Sequence, residues 1–128
     1  MRILRNTILA LILSVGTASA SEAPPRIANG TFWALGGALV AATAFDVETT
    51  VAALDKCAGR CKEGNPFAKE IVANGRPAMY AVALTGDALI MVGAYKLKEA
   101  GYSWWWALPT AGIVVHGLAG TMNLRFVF

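Results

Sequence analysis

Charge is scarce in this chain. Of its 128 residues, 15% are Asp, Glu, Lys or Arg, where an ordinary soluble domain carries roughly 25%. Hydrophobic residues make up 56% and the mean hydropathy is +0.53, too apolar for a chain that keeps a water-facing surface all round. Histidine occurs once and cysteine twice. One His excludes a His-x-x-x-His pair and the H-E-x-x-H helix, and two Cys exclude a four-thiolate zinc cage. A G-x-S-x-G elbow and a phosphate-cradling glycine loop are also missing, so the common nucleophilic and nucleotide-dependent chemistries have no footing. The formal charge of +3 falls to nine basic against eight acidic residues once Arg2 and Arg5 are set aside. No basic patch with interleaved aromatics remains, which argues against a nucleic-acid partner.

Apolar runs are what the chain has instead. Residues 1–20 read as a secretory signal peptide, with Arg2 and Arg5 ahead of an apolar core and Ala18-Ser19-Ala20 as a small-residue cleavage site. If uncleaved, the same segment is just long enough for a fourth spanning helix. Residues 21–31, with Pro24-Pro25, form an extracytoplasmic linker. A transmembrane helical domain then fills 32–128. Its three spans are expected at 32–54, 77–97 and 104–123, each about 20 residues or slightly more. The predicted fold is therefore all-α, a transmembrane bundle of three spans with a short interfacial helix in the first loop.

Lys and Arg counting sets the orientation. The first loop holds Lys56, Arg60, Lys62, Lys69 and Arg76 and the second only Lys96 and Lys98, which places the first loop in the cytoplasm of a multi-pass bacterial inner-membrane protein. Phe32, Trp33, Tyr95, Tyr102 and Trp104-Trp105-Trp106 then gather at the outer interface, where aromatic rings act as anchors. Within the first loop, Asn65-Pro66 starts a helix and Asn74-Gly75 ends it, giving a short helix over 66–73 with Phe67, Ile71 and Val72 apolar and Lys69 and Glu70 polar. On the cytoplasmic side Cys57 and Cys61 are expected as reduced thiols; a periplasmic loop would favour a disulfide.

Each span carries a side chain that a bilayer penalises: Asp46, Asp87 and His116. An Asp at a helix centre costs about 2.5 to 3.5 kcal/mol on insertion scales, so such a group faces the bundle interior and marks a site to examine. On the first span Thr43, Asp46, Thr49 and Thr50 share an arc of about 120°, with Glu48 pointing the other way. On the third, Pro109, Gly112, His116, Gly120 and Asn123 fall within about 40° of one another, small residues that let a neighbouring helix approach the imidazole. A rise of about 1.5 Å per residue puts Asp46 about 20 Å from Trp33 and His116 about 18 Å from Trp104, but Asp87 only about 12 Å from Tyr95. Asp46 and His116 thus share a level, where an Asp46 contact favours the protonated imidazole or fixes its tautomer, and Asp87 sits a turn away. The expected polar cluster is Asp46, Thr50, Asp87, His116 and Asn123. A metal held by the two carboxylates and the imidazole is chemically conceivable, but the spacing gives it little support and no cofactor is called for.

The run Asp46-Val47-Glu48-Thr49-Thr50, followed by Glu63-Gly64-Asn65-Pro66 after a short glycine-bearing loop, resembles a family of small bacterial membrane proteins known only as a domain of unknown function, with D-x-x-T-T and E-x-N-P elements. His116 and Asn123 look like that family's polar positions in the last helix, whereas Cys57 and Cys61 are outside its pattern. The resemblance implies a helical inner-membrane fold, with Glu63, Asn65 and Pro66 as a loop motif, and no reaction. Three functions are compatible with the residues: a structural or partner-binding membrane subunit, in a homo-oligomer or with another membrane protein; a proton- or cation-linked transport component; and an intramembrane metal-dependent or acid/base hydrolase. The first carries the most weight, because polar residues in membrane bundles commonly serve as interhelical glue.

Overall fold

The computed structural model describes residues 26–57 and 68–128. The signal segment, residues 21–25 of the linker, and Glu63, Asn65, Pro66 and Cys61 lie outside the described residues. Those that are described form four helices: α1 (Gly30–Lys56), α2 (Lys69–Ala73), α3 (Arg76–Glu99) and α4 (Ala107–Val127). The described residues are all-helical, and two of their helices, α1 with 27 residues and α3 with 24, are long and apolar enough to cross a membrane. α4, with 21 residues, falls outside that pair.

Local chemistry sets the helix ends. The Asn29 side chain accepts from the Phe32 amide at 3.1 Å and so satisfies one of the donors left open at the start of α1. Gly75, with φ +82°, makes the sharp entry into α3, where Pro77 needs no amide partner. At the far end of α3, Gly101 also has φ +82°; its amide bonds the Lys98 carbonyl and the Tyr102 amide reaches back to Leu97. Those two bonds make a Schellman cap, and Lys96 and Lys98 in the last turn complement the helix dipole.

α1 packs chiefly along α4, with α3 against both. Glycines make the α1–α4 approach close: a Cβ on Gly112 would stand 2.7 Å from Leu39 Cδ1, and one on Gly120 would meet the Phe45 ring at 2.5 Å. Leu39 and Thr43 are fully enclosed, and Val47, Thr49 and Asp87 are also buried. Outside, Val40, Val82, Leu89, Val92, Val114, Val115 and Leu118 are exposed. Polar groups inside and large aliphatic side chains outside invert the arrangement of a soluble bundle and suit a lipid surround.

At one end the aromatic rings converge. Phe32 has its ring centroid 6.1 Å from Tyr95 and 6.0 Å from Trp105, and is only 4% exposed against 66% for Trp33. Phe32 is therefore a plug joining α1, α3 and the turn before α4, whereas Trp33, Trp104 and Trp106 face outward. Lys98 closes this end, with Nζ 2.7 Å from Asn29 Oδ1 and 4.3 Å over the Trp105 ring. The opposite end carries Lys56, Arg76 and Arg125 and the short α2. There Cys57 is disulfide-bonded, which corrects the expectation of a reduced thiol; that expectation rested on a cytoplasmic first loop, and a disulfide is the state favoured on an oxidising side. Its partner lies outside the described residues.

Candidate functional site

The site forms where α1, α3 and α4 meet, and it is built around one imidazole. His116 Nδ1 lies 2.8 Å from Asp46 Oδ2, and Nε2 lies 3.9 Å from Asp87 Oδ1. Thr43 Oγ1 donates to Asp87 Oδ2 at 2.7 Å. One turn further along α1 and two along α4, toward the basic end, Asn123 Nδ2 donates to Thr50 Oγ1 at 2.8 Å, a second tie between α4 and α1. The five residues singled out in the sequence thus lie in two linked contacts: Asp46, His116 and Asp87 in one, Thr50 and Asn123 in the other. Thr43, left out of that set, is the direct donor to Asp87. Its position one turn before Asp46 on the same face was the available clue.

Asp87 stands closer to His116 than depth counting allows. Side chains on an α-helix lean toward its N-terminus. α1 and α4 both begin at the aromatic end, so Asp46 and His116 lean that way; α3 runs in the opposite direction, so Asp87 leans toward them. Opposed leans close a separation of about one turn between the backbones.

The remaining polar residues of the arc divide. Thr49 turns its hydroxyl back to the Phe45 carbonyl at 2.8 Å, a bond within its own helix. Glu48 faces α3, 3.2 Å from Arg76 and accepting from the Tyr80 hydroxyl at 3.0 Å. It belongs to an exposed contact apart from His116.

Burial is unequal within the cluster. The Asp46 and His116 side chains are 21% and 22% exposed, whereas Asp87 is 4% exposed, and its Oδ1 is enclosed without a hydrogen-bond partner. Among the described residues neither carboxylate pairs with Lys or Arg. A neutral imidazole that donates from Nδ1 to Asp46 presents a lone pair at Nε2. Facing a second carboxylate, that lone pair meets another. One additional proton, on Nε2 or on Oδ1, turns the opposition into a hydrogen bond. No group of three or more His, Cys, Asp or Glu among the described residues has the arrangement of a metal site; Nδ1 already serves Asp46.

Two cavities flank the cluster. One of about 410 Å³ at the basic end is lined by Asp46, Thr50, Asn123 and Arg125 and roofed by Ile71 and Val72 of α2. The other, about 700 Å³, is a groove between α1 and α3 reached by Asp87 and otherwise walled by residues such as Trp33, Gly37, Val40, Leu84 and Val92. Asp46 therefore borders the first space and Asp87 the second, with His116 between them.

Fold and site together define, among the described residues, a helical bundle with two membrane-length helices and a partly buried Asp–His–Asp cluster. No family model, curated protein or solved structure matches the chain.

Proposed function

We propose that this chain is a multi-pass protein of the bacterial inner membrane, with α1, α3 and α4 as three spans behind an N-terminal signal segment, and that its Asp46–His116–Asp87 cluster is the proton-binding element of a proton-linked transport assembly. The observation that carries this reading is the enclosed Asp87 Oδ1, unpartnered and 3.9 Å from the imidazole. Glue between helices is complete when its donors and acceptors are matched, as at Thr50 and Asn123. Here one acceptor is left over beside a ring nitrogen, at a place where an unsatisfied group is costly. A mobile proton satisfies both atoms. In the relay, Asp87 and His116 share that proton, the imidazole passes one from Nδ1 to Asp46, and Asp46 exchanges it with water in the basic-end cavity. Three helices are too few to enclose a pathway, so the transport unit is an oligomer.

A second reading, a partner-binding subunit, is favoured by a separate observation: Gly37, Gly86 and Gly117 have open space where a Cβ would stand. Such outward glycines let a partner helix approach closely. The two readings part in one experiment. Purified protein in liposomes with an internal pH dye should carry protons, and Asp46→Asn, Asp87→Asn and His116→Gln should each abolish the flux while leaving helix content and thermal unfolding close to wild type. Wild-type liposomes as proton-tight as empty ones would sink the transport reading, and leave the subunit reading to be tested by co-purification in mild detergent.

A further inference from the structure

The groove between α1 and α3 has a composition that selects its occupant. Its floor and walls are aliphatic and aromatic, and among its lining residues Asp87 is the sole carboxylate, with no Lys or Arg beside it. Asp87 is 4% exposed and has an acceptor oxygen without a donor. From Asp87 to Tyr95 at the aromatic rim the groove runs about 12 Å along α3, the length of a medium alkyl chain. A plain hydrocarbon tail lying there would leave the carboxylate oxygen unpaired. A carboxylate or phosphate head would be repelled by it.

We propose that the α1–α3 groove binds a lipophilic primary amine, its tail along Trp33, Val40 and Val92 and its ammonium on the Asp87 carboxylate. This deepens the proton-linked reading, on which it rests, by naming the class of molecule exchanged. The terminal torsion of an Asp side chain is broad, so Oδ1 can serve either His116 or a group in the groove, but not both. Ammonium and proton therefore compete for one oxygen. As the ammonium arrives, Asp87 gives its proton to His116 Nε2, His116 gives the Nδ1 proton to Asp46, Asp46 releases it to the basic-end cavity, and a flip of the ring turns the remaining N–H back to Asp46. One positive charge enters and one leaves. The cluster together with its ammonium keeps the same net charge, as a site of low polarity requires.

Calorimetry on the full-length protein in nanodiscs, with empty nanodiscs subtracted, tests this using octylammonium and the neutral 1-octanol as probes. Octylammonium should bind at least ten-fold more tightly than octanol, and titration in two buffers of different ionisation enthalpy should count one proton released per amine bound. Asp87→Asn should bring the amine down to the octanol level without changing octanol binding. Gly37→Trp, which fills the groove from a position with open space around it, should remove both. Equal affinity for the two probes, or amine binding that survives both substitutions, would overturn the inference, and amine binding without proton release would overturn the exchange. Running the proton-flux assay with and without octylammonium separates the two readings: flux that octylammonium does not change sinks only the ligand, and amine binding with proton-tight liposomes in both runs sinks only the relay. Loss of octanol binding on dimerisation, seen as a doubled mass in the nanodisc, would assign the groove to a second copy of the chain instead.

Discussion

Gly120 lies flat against the backbone of Asp46: a Cβ on the glycine would stand 3.3 Å from Asp46 Cα and 2.5 Å from the Phe45 ring. The absence of a side chain on α4 thus fixes how near the His116-bearing helix comes to its carboxylate. Gly120→Ala should force the Phe45 ring aside and widen the α1–α4 gap, at a cost of about 1 to 3 kcal/mol as for other overpacked interfaces. Gly117→Ala, on a face with nothing within 4 Å, should be close to neutral. Unfolding in mixed micelles titrated with a denaturing detergent measures both, and equal stability of the two variants would contradict the packing described.

Thr43 and Asp87 form a matched pair that a double-mutant cycle can isolate. Thr43→Val removes the donor at 2.7 Å and leaves both Asp87 oxygens wanting, so it should cost about 1 to 3 kcal/mol. Thr43→Ser should restore most of that. Adding Asp87→Leu to Thr43→Val should recover stability, since removing both partners relieves the unpaired group. A double variant as unstable as the sum of its parts would mean that the bond contributes nothing of its own.

Thr50 and Asn123 should behave as ordinary interhelical glue. Asn123→Leu is expected to cost about 0.6 to 2 kcal/mol, the range for such bonds in membrane bundles, with proton flux preserved. Liposomes carrying Asn123→Leu that fold normally yet conduct no protons would move Asn123 from the scaffold into the relay.

Cys57 and the basic residues make opposite statements about topology. Lys and Arg counting sends the first loop to the cytoplasm, where thiols are kept reduced, yet Cys57 is disulfide-bonded. An impermeant maleimide applied to intact cells before and after an impermeant reductant decides between them. Labelling that appears only after reduction places the loop on the oxidising side; labelling that requires lysis places it in the cytoplasm and means the bond is opened there.

Much of the architecture could be read from period and spacing. Helix boundaries expected at 32–54 and 77–97 fall within two residues of α1 and α3, because the apolar runs are about as long as the helices they form. The third span was expected from Trp104, whereas α4 begins at Ala107; the Trp triplet occupies a turn that brings Trp105 against Phe32. Asp46 and His116 could be put at one level because both helices start from the same end. Asp87 could not, since counting residues along an antiparallel neighbour measures the backbone and ignores the opposite lean of its side chains. The enclosed Oδ1 was equally illegible, being a property of how three helices surround an atom rather than of any motif.

Antiparallel lean also makes the cluster sensitive to motion along a single axis. A slide of α3 along its axis would change the 3.9 Å separation between Oδ1 and Nε2. The Asp46–His116 bond, carried entirely by the other two helices, would not change. Strain applied to either tip of α3, by lipid thickness or by a bound neighbour, would thus be converted into the making or breaking of one contact, like a plunger closing a circuit.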